Sequence, residues 1–276
     1  MGLRITTNVS ALTAQRHLVE SNRGMEKSLA QLSSGSRIRQ SADDSAGLAI
    51  SENMKAVIRS STQARRNAND GISLLATAEG GLNESSNIIT RIRELSIQAA
   101  SDTIGDRERG YINLEVQQMK SELDRISKTA SWNSTKLLDG TTPVFDFQIG
   151  AYATENDRIS YDSTDVNATL DALHLTDVDL STKEGAQSSI AFLDDAQNRV
   201  NGMRASIGSI QNRLNATVDI LAISEENLAA ANSRIRDTDI AASSSELARN
   251  SVLQQAGVAS LSQANQTTQL ALKLIG

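Results

Sequence analysis

The side chains that most often carry out catalysis are scarce in this chain. Cysteine is absent, and histidine occurs only at His17 and His174. The sequence therefore offers no thiolate nucleophile, disulfide or cysteine zinc site, and two histidines in separate segments make neither a metal cluster nor a Ser-His-Asp arrangement. Each histidine is expected to be a surface or packing residue.

Two pairs of adjacent carboxylates, Asp43-Asp44 and Asp194-Asp195, are the other candidates for acid–base or metal chemistry. Neither pair recurs with the spacing of a metal-binding loop. The first pair is placed to cap a helix that starts near Ala46, because carboxylates bind the free N–H groups of a first helical turn. The early glycines follow no predicted strand, so they form no phosphate-binding loop. We predict no catalytic, cofactor or metal site, and the chain is not expected to be an enzyme.

The composition is typical of long helices packed side by side. Of 276 residues, 39% are hydrophobic but only 3% are aromatic, and there is a single proline. Such a core is built from Leu, Ile, Val, Ala and Met, and the near absence of proline leaves helices uninterrupted. The net charge of −6 argues against nucleic-acid binding. The sequence contains no apolar run of membrane-spanning length, and its first residues lack the apolar stretch of a cleaved secretory signal.

The clearest periodicity lies between residues 190 and 240. A large aliphatic residue recurs at every seventh position, at Leu193, Val200, Ile207, Leu214, Leu221, Leu228 and Ile235. The position three residues further on is apolar in the first half of the stretch and small or polar in the second. This heptad seam predicts one long helix that needs partner helices to bury its apolar stripe.

Two helical stretches in the first half of the chain can supply those partners. Between residues 105 and 130 the apolar positions step by four and three, at Ile112, Val116, Met119, Leu123 and Ile126. A similar pattern runs through residues 46–100. Gly and Asp within 103–106 favour a turn between the two helices, and Asp106 is predicted to cap the second one.

The segment 139–185 differs from the helical parts around it. It contains Pro143 and four of the six Phe and Tyr residues. Phe145, Phe147 and Ile149 alternate with polar residues, a period of two that predicts a strand, and a second strand is expected at 157–162. The sequence thus predicts a small β-hairpin that turns the first half of the chain back on the second.

Both ends of the chain are compatible with helices but poor in bulky side chains. Residues 251–275 carry Gln, Ser, Thr and Asn on most faces and a single charge at Lys273. A helix of this composition is marginal in water by itself. We predict that both ends are loose in the monomer and become ordered on assembly. On composition alone, frayed tails without a function are the alternative.

Three blocks of the sequence resemble bacterial flagellin, the subunit of the flagellar filament. Residues 25–50, MEKSLAQLSSGSRIRQSADDSAGLAI, are similar to the flagellin pattern S-S-G-x-R-I followed by D-D-x-A-G. Residues 63–73, QARRNANDGIS, continue into a similar stretch at 77–84. The third block is QQAGVASLSQANQ at 254–266, and WNSTKLLDG at 132–140 resembles the segment that closes the second helix.

The resemblance implies a mainly α fold: a long antiparallel helical bundle or coiled coil with a small central β-hairpin, and terminal helices that form a filament core. It implies core helices at 1–33 and 241–276, both disordered in the monomer. The connecting spoke is expected at 34–46, and the bundle helices are expected at 47–139 and 186–240. The short β-hairpin or variable region is expected between the bundle helices, at 140–185. Such a short centre implies a minimal flagellin without large outer domains.

The same resemblance implies a function and the residues that carry it. The chain is expected to polymerise into the extracellular filament that propels swimming, after type III export without a cleaved signal peptide. Expected partners are other copies of the chain, an export chaperone at the C-terminal segment, the filament cap and the hook-junction proteins. The expected assembly core comprises Leu12, Leu18, Leu253, Val258, Leu261, Leu270, Leu272 and Ile275.

Some flagellins are recognised by the Toll-like flagellin receptor through an Arg, a Leu and a Glu on the outer bundle. Arg91, Leu95 and Glu115 resemble that epitope. We expect contact between subunits to be their main role, with recognition by a host receptor as its consequence.

Two other functions are consistent with the residues. A hook–filament junction protein has similar ends but does not form the long filament. A coiled-coil adaptor would form defined soluble oligomers with folded termini. The block at 63–73 and the match at both ends favour flagellin.

Overall fold

A computed structural model describes residues 7–141 and 144–275, without the side chains of residues 268–275. The described residues form the helices α1 (Val9–Ser34), α2 (Ser45–Ala99), α3 (Asp106–Thr129), α4 (Lys183–Arg236) and α5 (Ile240–Ile275). Four short strands lie between α3 and α4: β1 (Ser131–Trp132), β2 (Thr135–Lys136), β3 (Phe145–Gln148) and β4 (Arg158–Tyr161). This confirms the predicted mainly α fold with long helices and a small β-hairpin.

The chain divides into two compact units. The terminal unit combines the residues up to Ala56 with those from Asn227 onward, and the central unit is Val57–Glu226. The central unit has an aliphatic core between α2, α3 and α4, and its fully buried helical members include Leu75, Leu82, Ile89, Ile92, Val116, Leu123, Leu193, Val200, Ile207 and Leu214. The last four belong to the heptad seam of α4. Of the other seam residues, Leu221 is half-buried in the central unit, and Leu228 and Ile235 are half-buried in the terminal unit.

A ladder of polar contacts joins α2 to α4 beside this core. Its four rungs are Arg65–Glu225 (3.4 Å), Glu79–Gln211 (3.1 Å), Ser86–Gln197 (2.6 Å) and Arg93–Asp194 (2.6 Å). The α2 members lie seven or fourteen residues apart, so they share one heptad position. Polar pairs at a position that flanks an apolar seam fix the register and the direction of the two helices. The ladder therefore defines α2 and α4 as an antiparallel pair.

The turn between α2 and α3 is closed by Arg109, and the prediction that Asp106 caps α3 is wrong. The N-cap residue of α3 is Gly105, which has an extended backbone, so Asp106 is already the first residue of the helix. Arg109 is only 7% exposed and donates hydrogen bonds to the carbonyl oxygens of Ala99 (2.8 Å) and Ser101 (3.0 Å) and to Asp106 Oδ1 (2.7 Å). It thereby satisfies carbonyl groups that the end of α2 leaves without helical partners.

The predicted hairpin is confirmed, with β3 and β4 antiparallel. Phe145 pairs with Tyr161 and Phe147 with Ile159, so the apolar residues lie on one face. That face packs on α2, where a Cβ atom added to Gly71 would lie 3.0 Å from the Phe147 ring. Glycine at this position allows the ring to approach the helix closely.

The sequence did not predict the second hairpin, which β1 and β2 form directly after α3. Its two turn residues, Asn133 and Ser134, have φ values of 46° and 68°. Two successive residues with positive φ are the signature of the tight turns that join short antiparallel strands. The Asn-Ser dipeptide was the local signal for this turn, but it is weaker than Asn-Gly.

The irregular segment between β4 and α4 is part of the core. Val166, Leu173, Leu175, Val178 and Leu180 in this segment are at most 2% exposed. Side chains of α3 hold its backbone: Lys120 Nζ donates to the carbonyl oxygens of Thr176 (2.7 Å) and Val178 (3.1 Å), and Asn113 Oδ1 accepts from Leu180 N–H (3.2 Å). Burial lowers the pKa of Lys120.

Candidate assembly surface

The first and last described helices, α1 and α5, pair in antiparallel orientation in the terminal unit. Asn8 Nδ2 donates to the carbonyl oxygen of Ala264 (2.9 Å), and Gln254 Nε2 donates to Asn22 Oδ1 (2.8 Å). A Cβ atom added to Gly257 would lie 3.6 Å from Leu18. As the position on α1 increases, the partner position on α5 decreases, so the two helices run in opposite directions over most of their length.

Most of the residues of α5 that face α1 are small or polar, and Leu247 and Leu261 are the exceptions. The partly or fully buried positions of α5 include a stripe that steps by four and three, at Ser243, Leu247, Asn250, Gln254, Gly257, Leu261 and Ala264. The corresponding stripe on α1 is Ala11, Ala14, Leu18, Ser21, Met25, Ser28 and Leu32. Small side chains let two helices approach closely, but they bury little apolar area. The pair is therefore a coiled-coil-like contact with a weak apolar core.

Large aliphatic side chains lie on the outside of this pair. We call them the outer aliphatic residues: Val9, Leu12, Val19 and Leu29 of α1, and Ile240, Val252, Leu253 and Val258 of α5. Their exposure ranges from 42% at Val19 to 69% at Ile240. Contiguous exposed apolar surface on a soluble protein marks an interaction site more often than an isolated exposed Leu or Val does. Eight such residues on two helices identify the pair as a candidate assembly surface.

The expected assembly-core residues occupy three different places. Leu12, Leu253 and Val258 are among the outer aliphatic residues, with exposures of 53%, 48% and 55%. Leu18 and Leu261 are half-buried within the α1–α5 pair. The side chains of the remaining three lie outside the described residues: Leu270, Leu272 and Ile275.

The connection between α1 and α2 is fixed by its contacts with the connection between α4 and α5. Gly35, with φ 67°, ends α1 in the left-handed conformation that glycine adopts without strain. Its carbonyl oxygen accepts from Thr238 N–H (2.9 Å), and Arg37 N–H donates to the carbonyl oxygen of Arg236 (2.7 Å). Arg236 also pairs with Glu52, and this hydrogen bond lowers the pKa of the Glu52 carboxyl.

Of the paired carboxylates Asp43-Asp44, only Asp44 has the capping role that the sequence predicts. Asp44 Oδ1 accepts from Gly47 N–H in the first turn of α2 (2.8 Å). Asp43 Oδ2 accepts from the N–H groups of Arg39 (3.1 Å) and Gln40 (3.2 Å). These backbone hydrogen bonds, chiefly the one from Arg39, lower the pKa of Asp43. The two carboxylates thus hold the connecting segment in one conformation at the start of α2.

The three residues that resemble a receptor epitope differ in accessibility. Arg91 and Glu115 are exposed and form an ion pair at 3.4 Å across α2 and α3, and Arg91 also binds Glu94 at 2.9 Å. These carboxylates raise the pKa of Arg91, with Glu94 the main cause. Leu95 is only 3% exposed and belongs to the central core. A partner approaching from outside would meet the two charged residues before the leucine.

The histidines lie far apart in the sequence and in different units. His17 is exposed on α1, 3.7 Å from Glu20, and His174 lies in the irregular segment with a φ of 55°. Residues 7–141 and 144–275 contain no group of three His, Asp or Glu side chains arranged to hold a metal ion. None of the helices in these ranges is both long and apolar enough to cross a membrane.

Comparison with known protein families places this arrangement in context. The family model of the bacterial flagellin N-terminal helical region matches residues 5–142, and that of the bacterial flagellin C-terminal helical region matches residues 190–275. The first match covers α1 to α3 and the first hairpin, and the second covers nearly all of α4 and α5.

Individual relatives agree over nearly the whole chain. A flagellin of Halalkalibacterium halodurans is 42% identical over 274 residues, which cover 98% of this chain and 99% of the relative. A flagellar filament core protein of Brachyspira hyodysenteriae is 40% identical over 282 residues, with the same coverage. The crystal structure of Bacillus cereus flagellin is similar with a TM-score of 0.51 and 28% identity, covering 60% of this chain and 94% of that chain.

Proposed function

Because this chain belongs to the bacterial flagellin family and is a structural subunit of the flagellar filament, we propose that the paired helices α1 and α5 are the element through which its copies polymerise. The observation that carries this proposal is the arrangement of the pair, in which mostly small or polar residues lie inside and the outer aliphatic residues are exposed to water. A filament subunit is favoured over a junction protein or a coiled-coil adaptor because filament proteins match it from end to end.

The free energy for polymerisation comes from burial of the outer aliphatic residues against neighbouring copies. Full burial of one Val, Leu or Ile side chain contributes about 1.5–3 kcal/mol. Bringing a subunit into a polymer costs on the order of 4–15 kcal/mol in translational and rotational freedom. The eight outer aliphatic residues are 42–69% exposed, so burial of that remaining surface contributes roughly 7–13 kcal/mol, which is of the same order as this cost. The uncharged Gln, Ser and Thr residues of α5 allow copies to approach without charge repulsion.

Single charge substitutions on α5 test this proposal. Leu253→Asp and Val258→Asp should each raise the critical concentration for polymerisation by at least about tenfold, since each places a carboxylate in a buried apolar contact. Gln255→Asp is the matched control, because it adds the same charge at an exposed polar position of the same helix. Sedimentation and electron microscopy of seeded samples measure the effect. Wild-type polymerisation of both aliphatic variants would contradict the proposal.

We further propose that α5 binds an export chaperone before assembly, and that the filament cap and hook-junction proteins contact the same outer aliphatic residues at the two ends of the polymer. The support is physical: subunits at the ends lack a neighbour that covers these side chains.

We propose export without cleavage of the N-terminus. Intact-mass measurement of the secreted chain tests this, because a shorter N-terminus would contradict it.

For the resemblance to a host-receptor epitope, we propose that Arg91 and Glu115 meet the receptor and that Leu95 acts beneath them as a packing residue. Their exposures support this division, since the two charged residues are accessible and the leucine is buried. Arg91→Ala should then reduce activation of receptor-bearing cells without changing thermal stability. Leu95→Ala should reduce both. If Arg91→Ala leaves activation unchanged, the division is wrong.

A further inference from the structure

A groove on the central unit lies between α2 and the β3–β4 hairpin. It consists of two adjoining cavities of about 320 and 290 Å³. Both are lined by Asn67 of α2 and Gln148 of β3, so they meet at this pair. From Ser60 to Leu74, the α2 wall is about 21 Å long at the helical rise of about 1.5 Å per residue.

The floor of the groove is rigid and its polar groups are already paired. Asn67 Nδ2 donates to the carbonyl oxygen of Gln148 (3.1 Å), and Asn67 Oδ1 accepts from Gln63 (2.9 Å). Gln148 Nε2 donates to the carbonyl oxygens of Gly150 (3.1 Å) and Tyr152 (2.8 Å). Because Asn67 already occupies the Gln148 carbonyl group, the edge of β3 is blocked for an added peptide strand.

Each end of the groove combines an exposed aromatic ring with polar groups that have no protein partner. Tyr152 is 63% exposed beside Ser60 in the larger cavity, and Trp132 is 37% exposed beside Asp70 in the smaller one. Within the described ranges, neither the Trp132 indole N–H nor the Asp70 carboxylate takes part in a hydrogen bond or ion pair, and the Ser60 and Tyr152 hydroxyls are also unpaired. A ligand can therefore stack on either ring and hydrogen-bond beside it.

From this arrangement we propose that the groove binds a short neutral oligosaccharide. Sugar rings have an apolar face that stacks on aromatic side chains and a rim of hydroxyls that both donate and accept hydrogen bonds, which fits two aromatic ends joined by a preformed floor. Asp70 and Asp146 line the smaller cavity and make it acidic, so anionic saccharides are disfavoured. None of the residues that line the groove belongs to α1 or α5.

The single tryptophan of the chain makes the test direct, because Trp132 itself lines the groove. The full-length monomer is titrated with cellotetraose, with tetra-N-acetylchitotetraose and with tetragalacturonate while Trp132 emission is recorded. We expect a saturable change in emission with at least one of the two neutral probes and none with the acidic one. The absence of a saturable change with both neutral probes, or an equal response to the acidic probe, would overturn the proposal.

Two matched variants separate a groove ligand from a nonspecific effect on Trp132. Tyr152→Ala removes the aromatic ring of the other cavity and leaves the reporter intact, and it should weaken binding of the neutral probe by about fivefold. Tyr111→Ala removes a similarly exposed tyrosine (59%) from α3 and should leave binding unchanged. Circular dichroism verifies that both variants fold. Equal affinity of Tyr152→Ala and the wild type would show that the ligand does not span the two cavities and would refute the groove as drawn.

Discussion

The central and terminal units are both built from long helices with heptad spacing, yet they differ in the side chains that fill the buried seam between their helices. In the central unit, Leu193, Val200, Ile207 and Leu214 have no exposed surface. In the terminal unit most of the buried stripe is small or polar, with Leu or Met at five of its fourteen positions, and Leu12, Leu253 and Val258 are about half exposed. The comparison shows that heptad spacing predicts a helix pair but does not tell which face provides the stabilising burial. The heptad seam of the central unit buries its aliphatic residues within the chain, and the terminal unit leaves Leu12, Leu253 and Val258 exposed.

Removal of α5 is expected to produce the largest difference between the two units, in polymerisation and in folding. A chain that lacks residues 241–276 should lose polymerisation entirely, because three of the eight outer aliphatic residues and the partner of α1 are gone. The central unit should keep its helicity and its thermal midpoint, since its core contains none of the deleted residues. Electron microscopy and circular dichroism check the two halves of the prediction. Filaments formed by the truncated chain, or unfolding of its central unit, would each contradict the expected difference between the two units.

A pair of leucine-to-alanine substitutions sharpens the comparison within the intact chain. Leu214→Ala should lower the free energy of unfolding by about 2–4 kcal/mol, because it leaves a cavity in a fully packed core. Leu253→Ala should change the stability of the monomer by less than about 0.5 kcal/mol, since its side chain is 48% exposed. Leu253→Ala should raise the critical concentration for polymerisation more than Leu214→Ala does. Urea unfolding of the monomers and sedimentation of seeded samples give both quantities, and the same rank order in both would contradict the contrast.

The buried arginine at the α2–α3 turn tests whether polar groups also stabilise the central unit. Arg109→Met keeps most of the side-chain volume but leaves the carbonyl groups of Ala99 and Ser101 without their donor. The expected loss is about 2–3 kcal/mol in the free energy of unfolding. Arg107→Met is the control, because Arg107 has an exposed hydrogen bond to Tyr111 and should change stability little. Equal unfolding curves for the two variants would show that backbone conformational preferences, and not the Arg109 side chain, stabilise the turn.

Alkaline pH should act on the central unit through two groups with opposite signs. Burial raises the pKa of Tyr161 from 10.0 to about 12, and its hydroxyl, buried in the described part of the chain, has no hydrogen-bond partner. The folded state then holds this proton more strongly than the unfolded state, so about 2–3 kcal/mol of stability is present below pH 10 and is lost as the pH rises toward 12. Burial lowers the pKa of Lys120 below 10.5. Its desolvation penalty is relieved as the pH rises through the lowered value toward 10.5, so stability increases there.

Tyr161→Phe separates these two contributions. The variant should be as stable as the wild type at pH 7, since the missing hydroxyl had no partner, and it should lose less stability than the wild type between pH 10 and 12. Lys120→Met should abolish the rise that precedes pH 10.5. Urea unfolding at fixed pH values checks both. If Tyr161→Phe follows the wild-type curve above pH 10, another group accounts for the alkaline loss.

Much of the fold could be predicted from local patterns. The seam of α4, the turn between α2 and α3 and the alternation of Phe145 and Phe147 each depend on residues a few positions apart, and the structure contains the corresponding elements. The position of Asp44 just before α2 likewise predicts the capping hydrogen bond that the structure contains. These features are local because backbone hydrogen bonding and side-chain periodicity are decided within one or two turns.

Other features depend on contacts that periodicity does not encode. Arg109 reaches carbonyl groups eight and ten residues earlier, and the irregular segment after β4 is buried because α3 side chains hold its backbone. On α5, Leu253 and Leu261 have the same residue type, yet one is exposed and the other half-buried within the pair. The groove beside Trp132 and Tyr152 is formed by residues from three separate stretches of the chain. Only the folded arrangement brings such residues together.

The ladder between α2 and α4 has a mechanical consequence for a filament that is rotated in a viscous medium. The α2 members of its rungs share one heptad position. A displacement of α4 along α2 by one heptad would separate all four pairs and would place Val218 opposite Arg65 and Ile190 opposite Ser86. A force parallel to the helices therefore loads all four rungs in shear and must break them together, whereas a peeling force would break them one at a time. The central unit is expected to behave as a stiff strut of fixed length under axial load.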